Sequence, residues 1–485
     1  MLEAHLPTYL PSIGLEVHAE LSTRTKVFCG CSTEVGAPPN TQVCPVCLGF
    51  PGALPMLNRQ VVEYALRMAL ALNCEITSPG LFERKGYYYP DLPKNFQISQ
   101  KRAPLGRNGR LDLLANGDAF RVRISDVHME EDAAKLIHPE GDPEHSLVDF
   151  NRGGIPLLEI VSEPDLHSVS QVEAYMSEVH TILRYLDISQ ARMEMGQVRF
   201  EASVSVAPEG ATELGTRVEI KNLNSFRAVT GAVAYEIDRQ TKALPRGEPL
   251  RQETRLWDAE RGVTEPMRSK ETAMDYRYFP EPDLAPLVID AAWIARVKAQ
   301  LPELPSQRRS RLVQEYGLSE YDAGVLTSDK VLADCLEGAV ADGADAKTAA
   351  NLLMGEPLRR SRERNEPPDL ILRHVQPQHI SWISRAIHTA EISGTAAKSV
   401  FARVMDTGES PAKVVEELGL KQISDASALV ATVEEIIAEH QDAVENYRKG
   451  NENSLKFLVG QVMRKSRGRA NPQLVNRLLE ERLRS

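Results

Sequence analysis

Apolar and polar residues alternate with a period of two from Ile13 to Leu21. Ile13, Leu15, Val17, Ala19 and Leu21 share one face, and Glu16, His18 and Glu20 share the other. The pattern predicts a strand with one face in a core and a row of two carboxylates and an imidazole on the other. Between Asn58 and Leu72 the period changes to that of a helix, with Val61, Val62, Ala65, Leu66, Ala69 and Leu70 on one side. Arg121 to Ile124 alternates again and runs into His128-Met-Glu-Glu-Asp132. Leu157 to Val161 reads as an apolar strand carrying Glu159, with Glu163 on the same face. Further on, Val218 and Ile220 alternate with Arg217, Glu219 and Lys221. Beyond Pro302 and Pro305 the chain becomes rich in Ala, Leu, Glu and Arg, which predicts helices through the 310s, 330s, 340s and 380s and again from about Ser410. The last helix opens at Asn471-Pro472, a capping residue followed by an N1 proline. Leu474, Val475, Leu478, Leu479 and Leu483 give it one apolar face. The order is strands with helices first and helices alone afterwards, an α+β chain.

Composition narrows this without redirecting it. At 485 residues, 42% hydrophobic and 26% charged, the chain is an ordinary globular protein of about three domains. Glu3, His5 and Pro7 interrupt any leader-like apolar run, and the best apolar stretch, Leu287 to Ala295, is short and contains Asp290. A cytoplasmic protein with no membrane association is expected. The net charge of -11 argues against wholesale coating of nucleic acid, but residues 448–485 carry +7 and the remainder -18. A basic tail of that kind grips RNA or is a solvated face. Arg464, Lys465, Arg467 and Arg469, around Gly468, form its densest turn.

Candidate chemistry follows from spacing. Cys29-Gly-Cys31 and Cys44-Pro-Val-Cys47 are two short thiolate pairs twelve residues apart. They can close a tetrahedral zinc site with no open position, a structural knuckle. Cys74 and Cys335 read as core residues. The acidic strands at Glu16 to Glu20, His128 to Asp132, Glu159 and Glu219 are each compatible with an ordinary surface strand. Four of them within about 210 residues, mixed with Arg and Lys, point to a cradle for a divalent metal and phosphate. In Phe82 to Gln100, where Pro90 and Pro93 preclude a long helix, Arg84, Lys85, Lys94 and three adjacent tyrosines could receive phosphates and stack a base, or the tyrosines could simply be core. No Gly-Lys dipeptide and no G-x-G occurs, so neither a Walker loop nor a dinucleotide fingerprint is present. Any ATP would be handled by magnesium, carboxylates and arginines. No G-x-S-x-G occurs, and no cysteine has a plausible histidine partner for nucleophilic catalysis.

The motifs IGLEVHAELST, VCPVCLGFPG, YYYPDLPKNFQISQ, HMEEDAAK, NRGGIPLLEIVSEPD, GTRVEIKNLNSFR, QETRLWD, DYRYFPEPDL and FLVGQVMRKSRGRANPQLVN occur in that order along the chain. By these the sequence resembles, from end to end, the GatB family, the B subunits of the aspartyl/glutamyl-tRNA amidotransferases. The resemblance implies a glutamine-synthetase-like α+β cradle with an antiparallel sheet over residues 1–292, a helical domain over 293–408, and a YqeY-like tRNA-binding tail over 409–485. It implies ATP and Mg2+ as cofactors and a structural Zn2+ on Cys29, Cys31, Cys44 and Cys47. Glu16, His18 and Glu131 would be catalytic, and Glu16, His18, Glu131, Glu159 and Glu219 would hold magnesium. Alternation does not decide between Glu130 and Glu131; the family pattern selects Glu131. Arg199, Arg217 and Lys221 are the expected cofactor-binding cations, and Arg464, Lys465, Arg467 and Arg469 the expected RNA contacts. The implied partners are an amidase-type glutaminase (the A subunit), a small C subunit, and misacylated Glu-tRNA(Gln) or Asp-tRNA(Asn). The implied reaction phosphorylates the side-chain carboxylate of the misacylated residue, and ammonia from the glutaminase then displaces the phosphate.

One segment departs from the family pattern. Met193 to Ser205 reads MEMGQVRFEASVS, in which Met195, Gln197, Phe200, Glu201 and Ser203 are substitutions while Arg199 is kept. That departure is the one feature favouring the competing reading, a non-catalytic tRNA-binding scaffold in which the knuckle and the basic tail do the work.

Overall fold

The computed structural model describes residues 8–139, 144–267, 276–422, 426–466 and 470–484. The chain divides into two compact units, the first ending at Ser306 and the second beginning at Gln307.

The first unit is built on β1 (Tyr9–Glu20), whose burial alternates as its sequence does: Ile13, Leu15, Val17 and Ala19 are fully buried. Ile13, Leu15 and Val17 each stabilise the fold by about 1.5–3 kcal/mol when taken from water. In chain order there follow α1 (Arg59–Ala71), β2 (Glu75–Ile76), β3 (Glu83–Gly86), β4 (Phe96–Ser99), β5 (Gly106–Ala115) and β6 (Asp118–Glu131). Then come β7 (Lys135–Ile137), β8 (Leu147–Asp149), β9 (Pro156–Ser162), α2 (Val169–Tyr185), β10 (Val198–Pro208) and β11 (Val218–Leu223). The unit ends with α3 (Phe226–Ala243), β12 (Glu253–Asp258), β13 (Val263–Pro266), β14 (Phe279–Pro280) and α4 (Ala291–Ala299).

Nine strands form one sheet in the order β13-β12-β11-β10-β1-β9-β6-β5-β2, so β1 is its central strand. Every neighbouring pair is antiparallel except β11 and β12. The expected antiparallel sheet is present, with this one parallel pair added. The cause is α3, which carries the chain back to the starting end, so that β12 must run alongside β11 in the same direction. The apolar faces of α1, α2 and α3 pack with Ile13, Leu15 and Val17 in one core. The helix expected between Asn58 and Leu72 is present as α1, and Asn58 caps it by accepting from the Gln60 N–H. A small sheet, β14-β3-β4, lies by β6.

The core of the first unit also takes in Val297, Leu301 and Leu304, so α4 belongs to it. The compact unit runs on past the expected boundary at 292 to Ser306 for that reason. The second unit is helical, as predicted, from α5 (Pro305–Tyr316) onward. It holds two apolar cores, one from Leu312 to Val415 and one from Leu429 to Leu483. The boundary expected at 408/409 cuts ahead of Val414 and Val415, which are buried in the former.

Candidate functional site

Strand register builds the site. Arg199 of β10, His18 of β1, Glu159 of β9 and His128 of β6 are cross-strand neighbours, so they form one row on the polar face of the sheet. One step along the strands lies a second row, Glu201, Glu16, Val161 and Asp126. His18 Nε2 is 3.2 Å from Glu16 Oε1 and 3.3 Å from Glu159 Oε2. His128 Nε2 is 3.2 Å from the same Glu159 oxygen and 3.4 Å from Glu130 Oε1, while its Nδ1 is 2.7 Å from Asp126 Oδ1. Two metal-sized donor groups result, Glu16/His18/Glu159 and His128/Glu130/Glu159, sharing Glu159.

Glu159 explains the electrostatics. Burial disfavours its charge, but His128 and then His18 more than compensate and hold its carboxyl well below the usual range. Conversely, burial would lower His18, yet the Glu159 hydrogen bond and charge and then Glu16 keep it above its ordinary value. His128 stands well above its ordinary value for the same reason, against full burial. Glu16 is pushed up to about 7 by burial and by Glu159. Protons on the imidazoles neutralise a carboxylate cluster that would otherwise be costly to bury. A divalent cation would serve the same end, and the oxygen-rich donor set suits a hard cation such as Mg2+.

Of the expected magnesium residues, the structure brings together Glu16, His18 and Glu159 and leaves out Glu131 and Glu219. Glu131 ion-pairs with Lys94 and accepts the Ile98 N–H at 2.9 Å. It lines a cavity of about 170 Å³ with Lys26, Phe28, Cys47 and Phe96. The physical reason is a bulge: the β6–β9 register shifts between Ile124 and Asp126. Before it Val122 and Ile124 are in the core; after it Val127 and Met129 are. The face is thereby exchanged, and Asp126, His128 and Glu130 turn to the polar side in place of the odd positions. Glu219 lies with Glu201 about Lys221, whose Nζ is 3.1 and 2.9 Å from them. Arg199 ion-pairs with Asp132 at 3.2 Å, and the exposed Arg217 precedes β11.

The remaining expectations divide. The four sulfurs of Cys29, Cys31, Cys44 and Cys47 lie within 4.8 Å of one another, a donor set that fits zinc. The Cys47 thiol is lowered to about 5, by the Cys29 hydrogen bond first and with help from Lys26, whose Nζ is 3.7 Å away. Cys74 and Cys335 are buried, as read from sequence. In the Phe82–Gln100 loop, Arg84 is bound by Glu281 at 2.7 and 2.8 Å and Lys94 is bound by Glu131. In the tail, Arg464 is exposed and Lys465 is held by Glu435 at 2.6 Å and Glu439 at 2.9 Å. Arg467 and Arg469 lie outside the described residues. In the divergent segment, Phe200 points into the core against Phe226, and Glu201 and Ser203 face the polar side.

Asp126 is a site residue that the sequence reading did not name; His128 and Glu130 were read only as part of an acidic cluster, and Glu201 only as a departure from the family pattern. Their signal was period-two alternation within Asp126-Val-His-Met-Glu130, readable once the bulge is known.

An α+β domain with carboxylates and imidazoles gathered on one sheet face, followed by a helical region, defines the class: a charge-handling catalytic domain with a helical appendage. Comparison with known proteins gives the particular kind. The GatB/GatE catalytic domain family matches residues 11–295, the GatB domain family matches residues 334–483, and the chain belongs to the GatB family. It is 52% identical over 476 residues to the B subunit of the aspartyl/glutamyl-tRNA(Asn/Gln) amidotransferase of Moorella thermoacetica, covering 98% of this chain and all of that one. The proteins of the same name from Carboxydothermus hydrogenoformans and Thermodesulfovibrio yellowstonii are 49% and 48% identical. Those two alignments cover 98% and 97% of this chain and 99% and 98% of theirs. Among the described residues no helix is long and apolar enough to cross a membrane.

Proposed function

We propose that this chain is the component of a tRNA-dependent amidotransferase that uses ATP to activate the side-chain carboxylate of Glu on tRNA(Gln), Asp on tRNA(Asn), or both. It works beside a glutaminase and a small third polypeptide, the A and C subunits of the family. The observation that carries the reading is the row His18–Glu159–His128 with Glu16 and Glu130 against it, in a chain of this family.

A carboxylate resists ammonia because it is negative and would have to expel oxide. Transfer of the γ-phosphoryl group makes that oxygen a leaving group. Glu16, His18, Glu159, His128 and Glu130 would hold Mg2+, which when bound offsets the charge that gathers during phosphoryl transfer. Arg199, Arg217 and Lys221 would receive nucleotide phosphates. Arg199 would exchange Asp132, and Lys221 would exchange Glu201 and Glu219, for phosphate oxygens. The four cysteines would hold Zn2+ with no open coordination position, a scaffolding role. The basic residues Arg464, Lys465, Arg467 and Arg469 would contact the RNA backbone, with Lys465 leaving its two carboxylates to do so.

The test is the heterotrimer with glutamine, ATP and Mg2+, assayed on both misacylated tRNAs. Amide formation should require ATP. Glu159→Gln should lower it on the order of 10³-fold, as expected for loss of a central electrostatic group, with tRNA still bound. Wild-type rates in Glu159→Gln, or amidation without ATP, would overturn the reading.

A further inference from the structure

Lys85 stands on the wall of the cradle and is not consumed by a salt bridge. It faces Gln97 across the β3–β4 pair, so the two side chains share a face of the small sheet. That face is turned to the cradle, because Gln97 Nε2 donates to Glu130 Oε2 at 3.1 Å and the Ser99 hydroxyl donates to Glu130 Oε1 at 2.6 Å. Arg84, on the opposite face, is bound by Glu281 and Asp283. The Lys85 ammonium lies 5.0 Å from the centroid of the Tyr276 ring. Tyr276 is itself fixed, its carbonyl accepting the Gly86 N–H at 2.7 Å. A Cβ at position 86 would meet that carbonyl oxygen at 3.0 Å, so the close approach requires glycine.

Among the described residues, Lys94, Arg152, Arg199 and Lys221 around the cradle each have a carboxylate at ion-pair distance, and Lys85 has none. Burial works against its charge, yet the fields of Glu130, Tyr278 and Glu159 keep it protonated. The ammonium is half-buried over an aromatic ring, held by the fields of carboxylates that do not pair with it, and its hydrogen-bond donors are uncommitted. Such a donor is prepared for an anion that arrives later.

We propose that Lys85 is a catalytic cation that binds the oxygens of the transferred phosphoryl group and of the acyl phosphate formed from the misacylated side chain. This rests on the ATP-dependent activation proposed above. In the first step the bond from the γ-phosphorus to the ADP oxygen breaks as the bond to the carboxylate oxygen forms, and ADP leaves. In the second, the ammonia nitrogen bonds to the carbonyl carbon, the carbon–oxygen bond to phosphate breaks, and one N–H proton goes to the departing phosphate. Lys85 keeps its own proton throughout and acts only as a charged hydrogen-bond donor.

The experiment uses Lys85→Met and Lys85→Arg in the heterotrimer, with two readouts. One is kcat and KM for ATP-dependent amidation; the other is Mn2+ affinity measured without nucleotide. Lys85→Met should lower kcat at least 100-fold with little change in the KM for tRNA. It should also tighten Mn2+ binding several-fold, because a positive charge has left the neighbourhood of Glu130 and Glu159. Lys85→Arg should keep at least a tenth of kcat and wild-type Mn2+ affinity. The proposal is overturned if Lys85→Met stays within threefold of wild-type kcat, or if its loss of activity comes with weaker Mn2+ binding, the mark of a structural role. A wild-type heterotrimer that amidates without ATP would instead overturn the underlying reading, since Lys85 would then have no phosphoryl group to meet.

Discussion

Glu130 and Glu131 are adjacent carboxylates on one strand, and the bulge at Ser125 gives them different tasks that mutation can separate. Glu131 is 3% exposed and its partner Lys94 has a side chain 11% exposed. Replacing one member of such a pair leaves the other charge buried, which costs about 3–5 kcal/mol. In Glu131→Gln the new amide oxygen can still accept the Ile98 N–H, and Lys94 keeps its contact with the Phe96 ring at 5.3 Å. The lower figure, about 3 kcal/mol, is therefore expected, and at about 2 °C per kcal/mol for a unit of this size the melting temperature should fall by about 6 °C. Lys94→Met should cost a similar amount, and the double variant should recover most of it, since the coupling between the two is the whole effect. Cation affinity should behave in the opposite way. Glu130→Gln removes a carboxylate from the His128/Glu130/Glu159 group and should weaken Mn2+ binding by at least tenfold, about 1.4 kcal/mol. Glu131→Gln should leave that affinity within about twofold, a change of about 0.4 kcal/mol. Thermal denaturation and Mn2+ titration of the full-length protein decide the matter. A Glu131→Gln variant that melts like wild type but no longer binds Mn2+ would refute the assignment and restore Glu131 as the cation ligand.

Two further outcomes follow from other parts of the chain. One zinc should bind per chain, and Cys44→Ser should abolish it by metal analysis; retention of a full equivalent in that variant would exclude the four-sulfur site. Glu356, at the start of the helix Glu356–Arg364, is lowered to about 2 by Arg359, with Arg360 also bonded to it. A carboxyl lowered on folding adds stability above its unfolded value of about 4.5. It loses that stability as pH falls through about 2. Its side chain is 20% exposed and that of Arg359 53%, so solvent screens the pair and the full shift is not realised. Urea unfolding should show Glu356→Gln less stable than wild type by about 1 kcal/mol at pH 6, with the gap closing toward pH 2. A gap that stays constant from pH 6 to pH 3 would contradict this.

What the sequence disclosed and what it withheld have the same origin, the side-chain period of a strand. In β1 the period runs unbroken from Ile13 to Ala19, so the core face and the Glu16/His18 face were both legible from spacing alone. The helix after Asn58 and the cysteine pairs were legible too, because a 3.6-residue repeat and a C-x2-C spacing are local signals. In β6 a single extra residue reverses parity, and nothing local in Ile124-Ser-Asp126 announces it. Val122 and Ile124 are in the core before the shift and Val127 and Met129 after it, so alternation read across Ser125 could not choose between Glu130 and Glu131; the structure puts Glu130 on the polar face. The convergence of His18, Glu159 and His128 was withheld for another reason. It depends on which strands are neighbours, and β9 separates β1 from β6 in the sheet although it follows both in sequence.

That sheet order also bears on how the charge cluster is tolerated. Glu159 is the carboxylate shared by both donor groups, on a strand with Leu157, Leu158 and Ile160 buried around it. Flanked by two histidines whose ring nitrogens approach the same oxygen at 3.2 and 3.3 Å, it is neutralised from both sides without a lysine or arginine. Arginine would neutralise it permanently, with a pKa too high to release its proton. Imidazoles can release theirs when a cation takes their place. A row of this composition is therefore stable with protons and available to a metal, whereas the permanently charged pairs of the same sheet, Arg199 with Asp132 at the row's end and Lys221 with Glu201 and Glu219 beside it, leave its centre to the histidines.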